Sequence, residues 1–386
     1  MPDLTPQFVM QYERRMRAIT ENEYARRLAS ENTWWNKLLR PIDIEGKSER
    51  ITWLLSTAII EPVGPSGTGD MSFENMVTQT VEYPVLRHAK GIKVQRDQLE
   101  DLNGTGLDQL KEWSAQIGNE IPYYPQRLGA QLILNGAATD GSANAYDGKP
   151  FFADNSNKHP LNPFKSAAGS YANWLHGASS GTYPGALPID DSVTPDVALQ
   201  NLGKTIAYVA SLKMPNGVDP RFLVPKYIVC PPRMAPRVRQ LTDAKVIAQA
   251  AATGGGGADV ASLISGWALG LPIVAQELAA SSSYNFQVAT ADPVSGLLSA
   301  KAVGPVTGND TTWYLVCQEI NSTQLGGLLL VMRKPFKVTY YSGDGANGGQ
   351  ALEMLLDRAN EVEYHVQGRM SAQYGHPYTM FRVDST

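Results

Sequence analysis

Cysteine is scarce in this sequence. The 386 residues contain only Cys230 and Cys317, too few to supply the four ligands of a structural zinc centre. Each lies in an apolar, strand-like run, and the amino terminus lacks the basic and apolar regions of a secretory signal. We therefore expect a protein made in the cytosol, with both thiols buried and reduced as small apolar groups.

An excess of positive charge and long apolar runs are also missing. The chain has 33 basic and 37 acidic residues, a net charge of −4, so no overall positive field would hold it on nucleic acid or an anionic membrane. No run of about 18 apolar residues occurs, and the sequence predicts no membrane span. Its length and its 43% apolar content indicate a folded protein of about two to three domains.

Motifs of catalysis and cofactor binding are absent as well. No histidine stands in H-E-x-x-H or H-x-H spacing. No G-x-S-x-G nucleophile elbow is predicted, because the match at Gly177–Gly181 lies in a loop-like segment without the required strand-then-helix context. Gly254–Gly257 follow a predicted helix without the strand-then-helix context of a phosphate-binding loop, which favours a flexible loop. We predict no catalytic, cofactor-binding or metal-binding residue. The five histidines are His88, His159, His176, His365 and His376.

One loop leaves room for an enzymatic alternative. Asp147, Asp154 and His159 lie within 13 positions of one another, and they would be the centre of a hydrolase if the chain were one. His159 could also bind a metal together with Asp154. The simpler interpretation is a loop histidine that hydrogen-bonds to the backbone.

The amino-terminal part has a helical pattern without a core of its own. Over residues 5–40, apolar side chains share one helical face and charged side chains the other. The apolar face, and the Trp34-Trp35 pair after it, must pack against another element of this chain or against another subunit. The sequence leaves both possibilities open.

Two β-rich runs follow, from Arg50 to Pro62 and from Val77 to Val94, separated by a Gly/Pro-rich segment at 63–70. We predict a long hairpin with a turn-rich tip. Such a hairpin leaves edges open to other chains, so we expect it to serve assembly more than monomer folding.

The clearest helix lies at 105–135, where apolar residues recur every three or four positions and place Trp113 on the buried face. Pro122 and Pro125 predict a kink or break near 121–125, with a second segment from 126. Residues 137–195 are rich in Gly, Ser, Asn, Asp and Pro. This segment predicts a long ordered loop anchored by aromatic residues, namely Phe151, Phe152, Phe164, Tyr171 and Trp174.

Later segments predict a mixture of helices and strands without internal repeats. Helices are expected at 195–212 and 236–252. The clearest strand has Val362, Tyr364 and Val366 alternating with polar residues. Further strands are expected at 226–230, 272–274, 285–291, 312–318, 328–332 and 336–341.

Three segments together resemble a known family. The sequence from Tyr146 to Asp154, followed by His159-Pro160, comes after a helix that ends in Leu-Ile-Leu-Asn-Gly at 132–136. Lys93–Asp101 and Glu363–Arg369, the latter followed by Tyr374-Gly375, add matches in the same order. All three resemble the major head subunits of Mu-like phages. Gln98 stands where that family usually has an acid, and Gly368 where it has Ala.

The resemblance implies an α+β chain with the Hong Kong 97-type (HK97-like) major capsid fold, built from an arm, an extended hairpin, a peripheral domain with a long spine helix, and an axial domain. The implied division is 1–48 arm, 49–95 hairpin, 96–200 first part of the peripheral domain with the spine helix 105–135 and the inserted loop 137–195, 201–330 axial domain, and 331–386 strands returning to the peripheral domain.

The function implied is that of a structural, non-enzymatic protein that self-assembles into the icosahedral head of a tailed phage or prophage. Implied partners are other copies in hexamers and pentamers, a portal, a scaffold or protease, and packaged double-stranded DNA bound without sequence specificity. The implied location is the virion capsid, assembled in the host cytoplasm. A nanocompartment shell like the encapsulins is the alternative of the same fold.

Overall fold

The computed structural model describes residues 6–29, 33–46, 48–54, 78–95, 105–162, 169–243, 246–248, 259–261, 269–291, 298–319, 326–340 and 361–385. Its helices are α1 Pro6–Leu28, α2 Trp35–Leu38, α3 Thr105–Asn135, α4 Pro195–Ala210 and α5 Ala235–Asp243. The first strands are β1 Leu39–Asp43, β2 Ser48–Leu54, β3 Thr78–Pro84, β4 Leu86–Gln95, β5 His159–Pro160, β6 Ser170–Tyr171, β7 Trp174–Leu175, β8 Leu223–Cys230 and β9 Val246–Ala248. The remaining strands are β10 Asp259–Ala261, β11 Ile273–Val274, β12 Ser283–Ala291, β13 Leu298–Thr307, β14 Trp313–Glu319, β15 Leu328–Tyr340, β16 Glu361–Tyr374 and β17 Met380–Val383.

The helix predicted at 105–135 is present as α3, and it is a single helix of 31 residues. The expected break is wrong, because the helix continues through Pro122 and Pro125. Each proline removes one backbone hydrogen bond, but packing on both sides of this region holds the helix together. Ile117 is buried before the prolines, and Ile133 is buried after them.

Trp113 borders a cavity together with the buried Ile117, but it is only half-buried, so its predicted burial is only partial. The buried residues of this turn are Ser114, Ile117 and Gly118. Ser114 and Gly118 contact the amino-terminal helix, whereas Ile117 lines the same cavity as Trp113, beside the four-stranded sheet.

The amino-terminal helix α1 packs on α3 of its own chain, which decides between the two possibilities left open by the sequence. Met16 is fully buried, and the Thr20 hydroxyl donates to the carbonyl of Ser114 at 3.1 Å. The helix ends at Leu28, earlier than the predicted residue 40. The residues after it form α2 and strand β1.

Trp34 is buried within the same chain as well. Its backbone N–H donates to Gln126 Oε1 at 3.0 Å, and its indole N–H donates to Glu277 at 3.2 Å. Gln126 Nε2 also donates to Glu277, at 2.6 Å. These bonds fasten the segment after the arm helix to α3, while Trp35 stays half-buried.

The predicted hairpin pairs β2 with β3 in register from Ser48–Pro84 to Leu54–Thr78. Among the described residues, these two strands form a sheet of their own. The predicted run from Val77 to Val94 is divided at Val85, and its second half, β4, pairs with β16 instead. The predicted tip at 63–70 lies outside the described residues.

A four-stranded sheet has the order β1–β15–β16–β4. Strand β15 covers both runs predicted at 328–332 and 336–341, joined through irregularities in its pairing with β16. The expected alternation in β16 is present where burial is described: Val366 is buried between the partly exposed His365 and Gln367.

A second sheet, of order β11–β8–β14–β17–β7, separates two apolar cores. Trp313, Leu315 and Cys317 of β14 face the core that holds α4 and α5. Tyr314 and Val316, on the opposite face, contribute to the core that holds the end of α3. Both faces of this sheet are therefore buried.

The two cysteines lie in the first of these cores, buried and free, as predicted. Burial raises the pKa of the Cys230 thiol to about 12. Burial also raises the pKa of Cys317. Both thiols are therefore uncharged at neutral pH, and the nucleophilic thiolate is disfavoured.

The helix predicted at 236–252 is correct only in its first half. Helix α5 ends at Asp243, and Val246–Ala248 pair with Asp259–Ala261 as a small hairpin. The β-branched residues Val246 and Ile247 favour this strand. Gly254–Gly257 lie outside the described residues. Strands β13 and β17 were not predicted.

Close contact between α1 and α3 generates a test. A Cβ on Gly118 would lie 2.6 Å from the Thr20 carbonyl oxygen and 2.8 Å from Glu23 Cβ. We expect Gly118→Ala to lower the free energy of unfolding by about 1–3 kcal/mol, because backbone must move. Gly203→Ala in α4 is the control: nothing lies within 4 Å of its Cβ, and helix propensity should raise stability by up to about 1 kcal/mol. Urea unfolding measures both, and equal shifts would contradict the packing.

Candidate functional site

The signature loop begins where α3 ends, and a glycine makes its first contact possible. A Cβ on Gly136 would lie 2.5 Å from Cδ2 of Phe152, and the Phe152 N–H donates to the Gly136 carbonyl at 2.7 Å. The Asn135 amide donates to the Ser142 hydroxyl at 3.0 Å, which fixes the chain as it turns back. The glycine that closes the Leu-Ile-Leu-Asn-Gly segment is therefore required by the packing of Phe152.

The two phenylalanines of the signature join the loop to the sheets. Phe151 stacks on Tyr374 of β16 at 4.9 Å between ring centroids, and Phe152 lies 5.6 Å from Tyr314 of β14. The Tyr374 hydroxyl donates to the Leu132 carbonyl at 2.9 Å. Both phenylalanines are almost completely buried, and such burial contributes about 1.5–3 kcal/mol for each ring.

Asn173 connects the signature to the carboxyl-terminal segment. Its amide nitrogen donates to the carbonyls of Phe151, Pro377 and Met380 at 2.7, 3.0 and 3.2 Å. Its side-chain oxygen accepts from the Ala153 N–H at 2.8 Å. The residue is fully buried, so water cannot replace these bonds. We call Asn173 with these four backbone groups the Asn173 clamp.

The candidate hydrolase residues do not form an accessible centre. His159 Nδ1 lies 2.7 Å from Asp147 Oδ2, and both side chains are 1% exposed. His159 Nε2 lies 3.2 Å from the Phe151 carbonyl, so both ring nitrogens are engaged. Asp154 is separate and faces His176 Nε2 at 3.5 Å. His159 is thus the backbone-bonded loop histidine that the simpler interpretation predicted.

Electrostatics around the loop also favour neutral, structural groups. His376 lies 5.9 Å from Tyr146 and 4.8 Å from Tyr378, measured between ring centroids. Burial, with Arg221 and Arg40 adding to it, lowers the pKa of His376 to about 3. Burial raises the pKa of Tyr146. In the described part of the chain, no three His, Cys, Asp or Glu side chains gather as a metal site.

Glycines of the closing segment are explained by the same packing. A Cβ on Gly375 would lie 2.0 Å from the Gly326 carbonyl oxygen, and a Cβ on Gly368 would lie 2.8 Å from Cδ1 of Phe336. Residue 368 is Gly where the family has Ala, and the absence of a Cβ leaves room for the Phe336 ring.

Part of the chain matches a known protein family. Residues 14–185 match the family described as the Mu-like prophage major head subunit gpT. This part of the chain is similar to the Mu-like head subunits. The matched range includes the hairpin strands, α3 and the signature loop, so the resemblance carried by the loop is confirmed. No curated protein matches the chain.

Several solved capsids and shells are distantly similar in fold. The bacteriophage JBD30 capsid has 10% identity and a TM-score of 0.42, over 92% of this chain and 65% of that one. The mature capsid of bacteriophage PhiM1 has 12% identity and a TM-score of 0.48, over 92% and 87%. The virus-like particle from Pyrococcus furiosus has 11% identity and a TM-score of 0.43, over 97% and 99%.

The α+β class is confirmed, and an amino-terminal helix, a separate hairpin stem and a long helix are present in the described part of the chain. Phe151, Phe152 and Tyr171 anchor the loop as predicted, while Phe164 lies outside the described residues. Asn173 was missed, because a single asparagine among aromatic residues has no periodicity or motif to mark it. No described helix is long and apolar enough to span a membrane.

The Asn173 clamp generates a second test. Asn173→Ala leaves buried carbonyls and the Ala153 N–H without their partner, and we expect a loss of about 2–4 kcal/mol in the free energy of unfolding. Asn309→Ala is the control, since Asn309 is exposed and accepts from the Thr311 N–H at 3.0 Å; its cost should stay near 0.5 kcal/mol, as is roughly usual for surface positions. Similar losses for the two variants in urea unfolding would show that the clamp contributes little.

Proposed function

We propose that this chain is a major capsid protein that self-assembles into the icosahedral head of a tailed phage or prophage, with the HK97-type arrangement of elements. The observation that carries the proposal is the match of residues 14–185 to the major head subunit family. The matched range includes Phe151 and Phe152, whose rings pack the signature loop against strands β16 and β14.

Geometry supports assembly through the hairpin. Strands β2 and β3 pair with each other and, among the described strands, with no third strand. Each hairpin leaves two backbone edges for pairing or packing with another copy. Contacts repeated around a closed shell act together, so individually weak contacts suffice for a stable lattice.

The proposal includes the division of the chain and its partners. We assign residues 1–48 to the arm, 49–95 to the hairpin, 96–200 and 331–386 to the peripheral domain, and 201–330 to the axial domain. Hexamers and pentamers of this chain would form the shell in the host cytoplasm, with a portal and a scaffold or protease. Double-stranded DNA would fill the virion without sequence-specific contacts, which a net charge of −4 permits.

Two other functions are less well supported. A nanocompartment shell would use the same surfaces, and the nucleic acid content of purified particles separates it from a phage head. A hydrolase would need Asp147 and His159 to meet a substrate, but their side chains are 1% exposed and bonded to each other. We therefore propose a structural role without catalysis.

Shortening the hairpin tests the assembly role. Leu54 and Thr78 are opposite each other in the register, so Asn-Gly can replace residues 55–77 as a two-residue type I′ turn. We expect a soluble, folded subunit whose free energy of unfolding changes by about 1 kcal/mol or less. It should form no shells in negative-stain electron microscopy, whereas the full chain prepared in parallel should.

Circular dichroism and urea unfolding control for folding of the shortened chain. Shells of normal size from a chain that lacks residues 55–77 would contradict the proposed role of the hairpin in assembly.

A further inference from the structure

A buried carboxylate lies where the amino-terminal segment, helix α3 and the segment before β12 meet. Glu277 is 2% exposed, and it belongs to the short 3-10 helix Gln276–Leu278. Trp34 follows the arm helix, and Gln126 lies in α3; both are also buried. Removing a carboxylate from water is costly unless polar groups replace the water, so Glu277 requires hydrogen bonds from its neighbours.

The hydrogen bonds around Glu277 fix which groups donate. Gln126 Oε1 accepts from the Trp34 backbone N–H at 3.0 Å, so the Gln126 amide presents its Nε2 group to Glu277 Oε1, at 2.6 Å. The Trp34 indole nitrogen, which can only donate, lies 3.2 Å from Glu277 Oε2. Both oxygens of Glu277 therefore face N–H groups. This pattern suits an acceptor at position 277 and has no place for a donor.

Helix α3 brings another polar side chain to the same carboxylate. Burial raises the pKa of the Tyr123 hydroxyl, and the negative charge of Glu277 and the neighbouring Tyr284 of β12 raise it further. The Tyr123 hydroxyl therefore stays protonated and can donate. The Arg27 guanidinium of α1 lies 5.7 Å from the centre of the Tyr123 ring. Side chains of α1, α3 and β12 thus lie around Tyr123 and Glu277.

The partners are held in place on both sides of this carboxylate. The Ala275 N–H donates to the Cys230 carbonyl of β8 at 3.0 Å, which anchors the segment that carries Glu277 to the five-stranded sheet. On the other side, a Cβ on Gly129 of α3 would lie 3.4 Å from Cη2 of Trp34, so the indole is packed closely against the helix. A shift of either side would therefore lengthen the bonds to Glu277.

We propose that Glu277 is a conformational latch: its carboxylate fixes the angle between the amino-terminal segment, α3 and the proposed axial domain, and thereby sets the curvature of the shell. A buried carboxylate with only some of its bonds is strongly disfavoured, so the junction favours one arrangement over a continuous range of angles. Contacts in a closed shell repeat, so a small change of angle in each copy changes the diameter. The effect on curvature rests on the proposed function, whereas the latch itself does not require assembly.

Exchanging donor and acceptor tests the latch. Glu277→Gln places an amide NH2 group opposite a fixed N–H donor, and Gln126→Glu places a second carboxylate where Nε2 now lies 2.6 Å from Glu277. Each should lower the equilibrium constant for folding by about tenfold or more in urea unfolding, because buried polar groups lose their partners. Gln126→Glu/Glu277→Gln restores a donor opposite an acceptor, and residue 126 still accepts from Trp34. The folding constant of this double variant should therefore return to within about threefold of the unmodified chain.

Glu112→Gln/Gln116→Glu is the matched control. Gln116 Nε2 donates to Glu112 Oε1 at 3.4 Å on the exposed face of α3, so the same exchange is made in contact with water. Its single variants and its double variant should each change the folding constant by less than about threefold, as is usual for exposed pairs. Equal effects at the two pairs would overturn the latch. A loss in Gln126→Glu/Glu277→Gln that equals the sum of its two single losses would overturn it as well.

Electron microscopy of the same variants tests the effect on curvature. Shells of the unmodified chain and of the exposed-pair control should have one diameter. Glu277→Gln should give shells of several diameters, open fragments or no shells, and Gln126→Glu/Glu277→Gln should restore a single diameter. Uniform shells of normal diameter from Glu277→Gln would overturn the effect on curvature, as would a double variant that folds normally without forming uniform shells. Absence of shells from the unmodified chain would instead count against the proposed function, while urea unfolding would still decide the latch.

Discussion

A single buried amide connects the segments on which the rest of the structure depends. Asn173 donates to carbonyls of the signature loop and of the carboxyl-terminal segment and accepts from Ala153. A buried polar group is costly unless its bonds are made, so this side chain permits only one arrangement of these backbones. It thereby holds the loop after α3 against β17.

The consequence of this clamp is a connection between two cores. Phe151 and Phe152, held by the clamped loop, fill the core beneath α3, and Phe381, one residue after the clamped Met380, fills the core beneath α4. Strand β14 contributes alternate residues to both. In the proposed function, a subunit connected in this way would be a rigid base from which an arm and a hairpin make contacts with other copies. A rigid subunit loses less conformational entropy when each such contact forms.

Sequence patterns predicted the helices and strands better than they predicted which elements pack or pair with each other. The apolar spacing of α3 and the alternation around Val366 report local periodicity, which burial on one face imposes. The continuity of α3 at Pro122 and the pairing of β4 with β16 depend on contacts distant in sequence, so local rules missed them. The site was predicted in part: the aromatic anchors were visible as large apolar residues in a polar loop, whereas Asn173 acts through distant backbone carbonyls. Resemblance to the head subunits supplied the proposed function, since a capsid protein requires no catalytic motif.

Electron microscopy of the purified full-length chain tests the central claim most directly. We expect closed shells of uniform diameter that form equally with and without reductant, because Cys230 and Cys317 are free and buried. Only monomers or small oligomers, in preparations where circular dichroism reports folded protein and the expected scaffold is supplied, would contradict it.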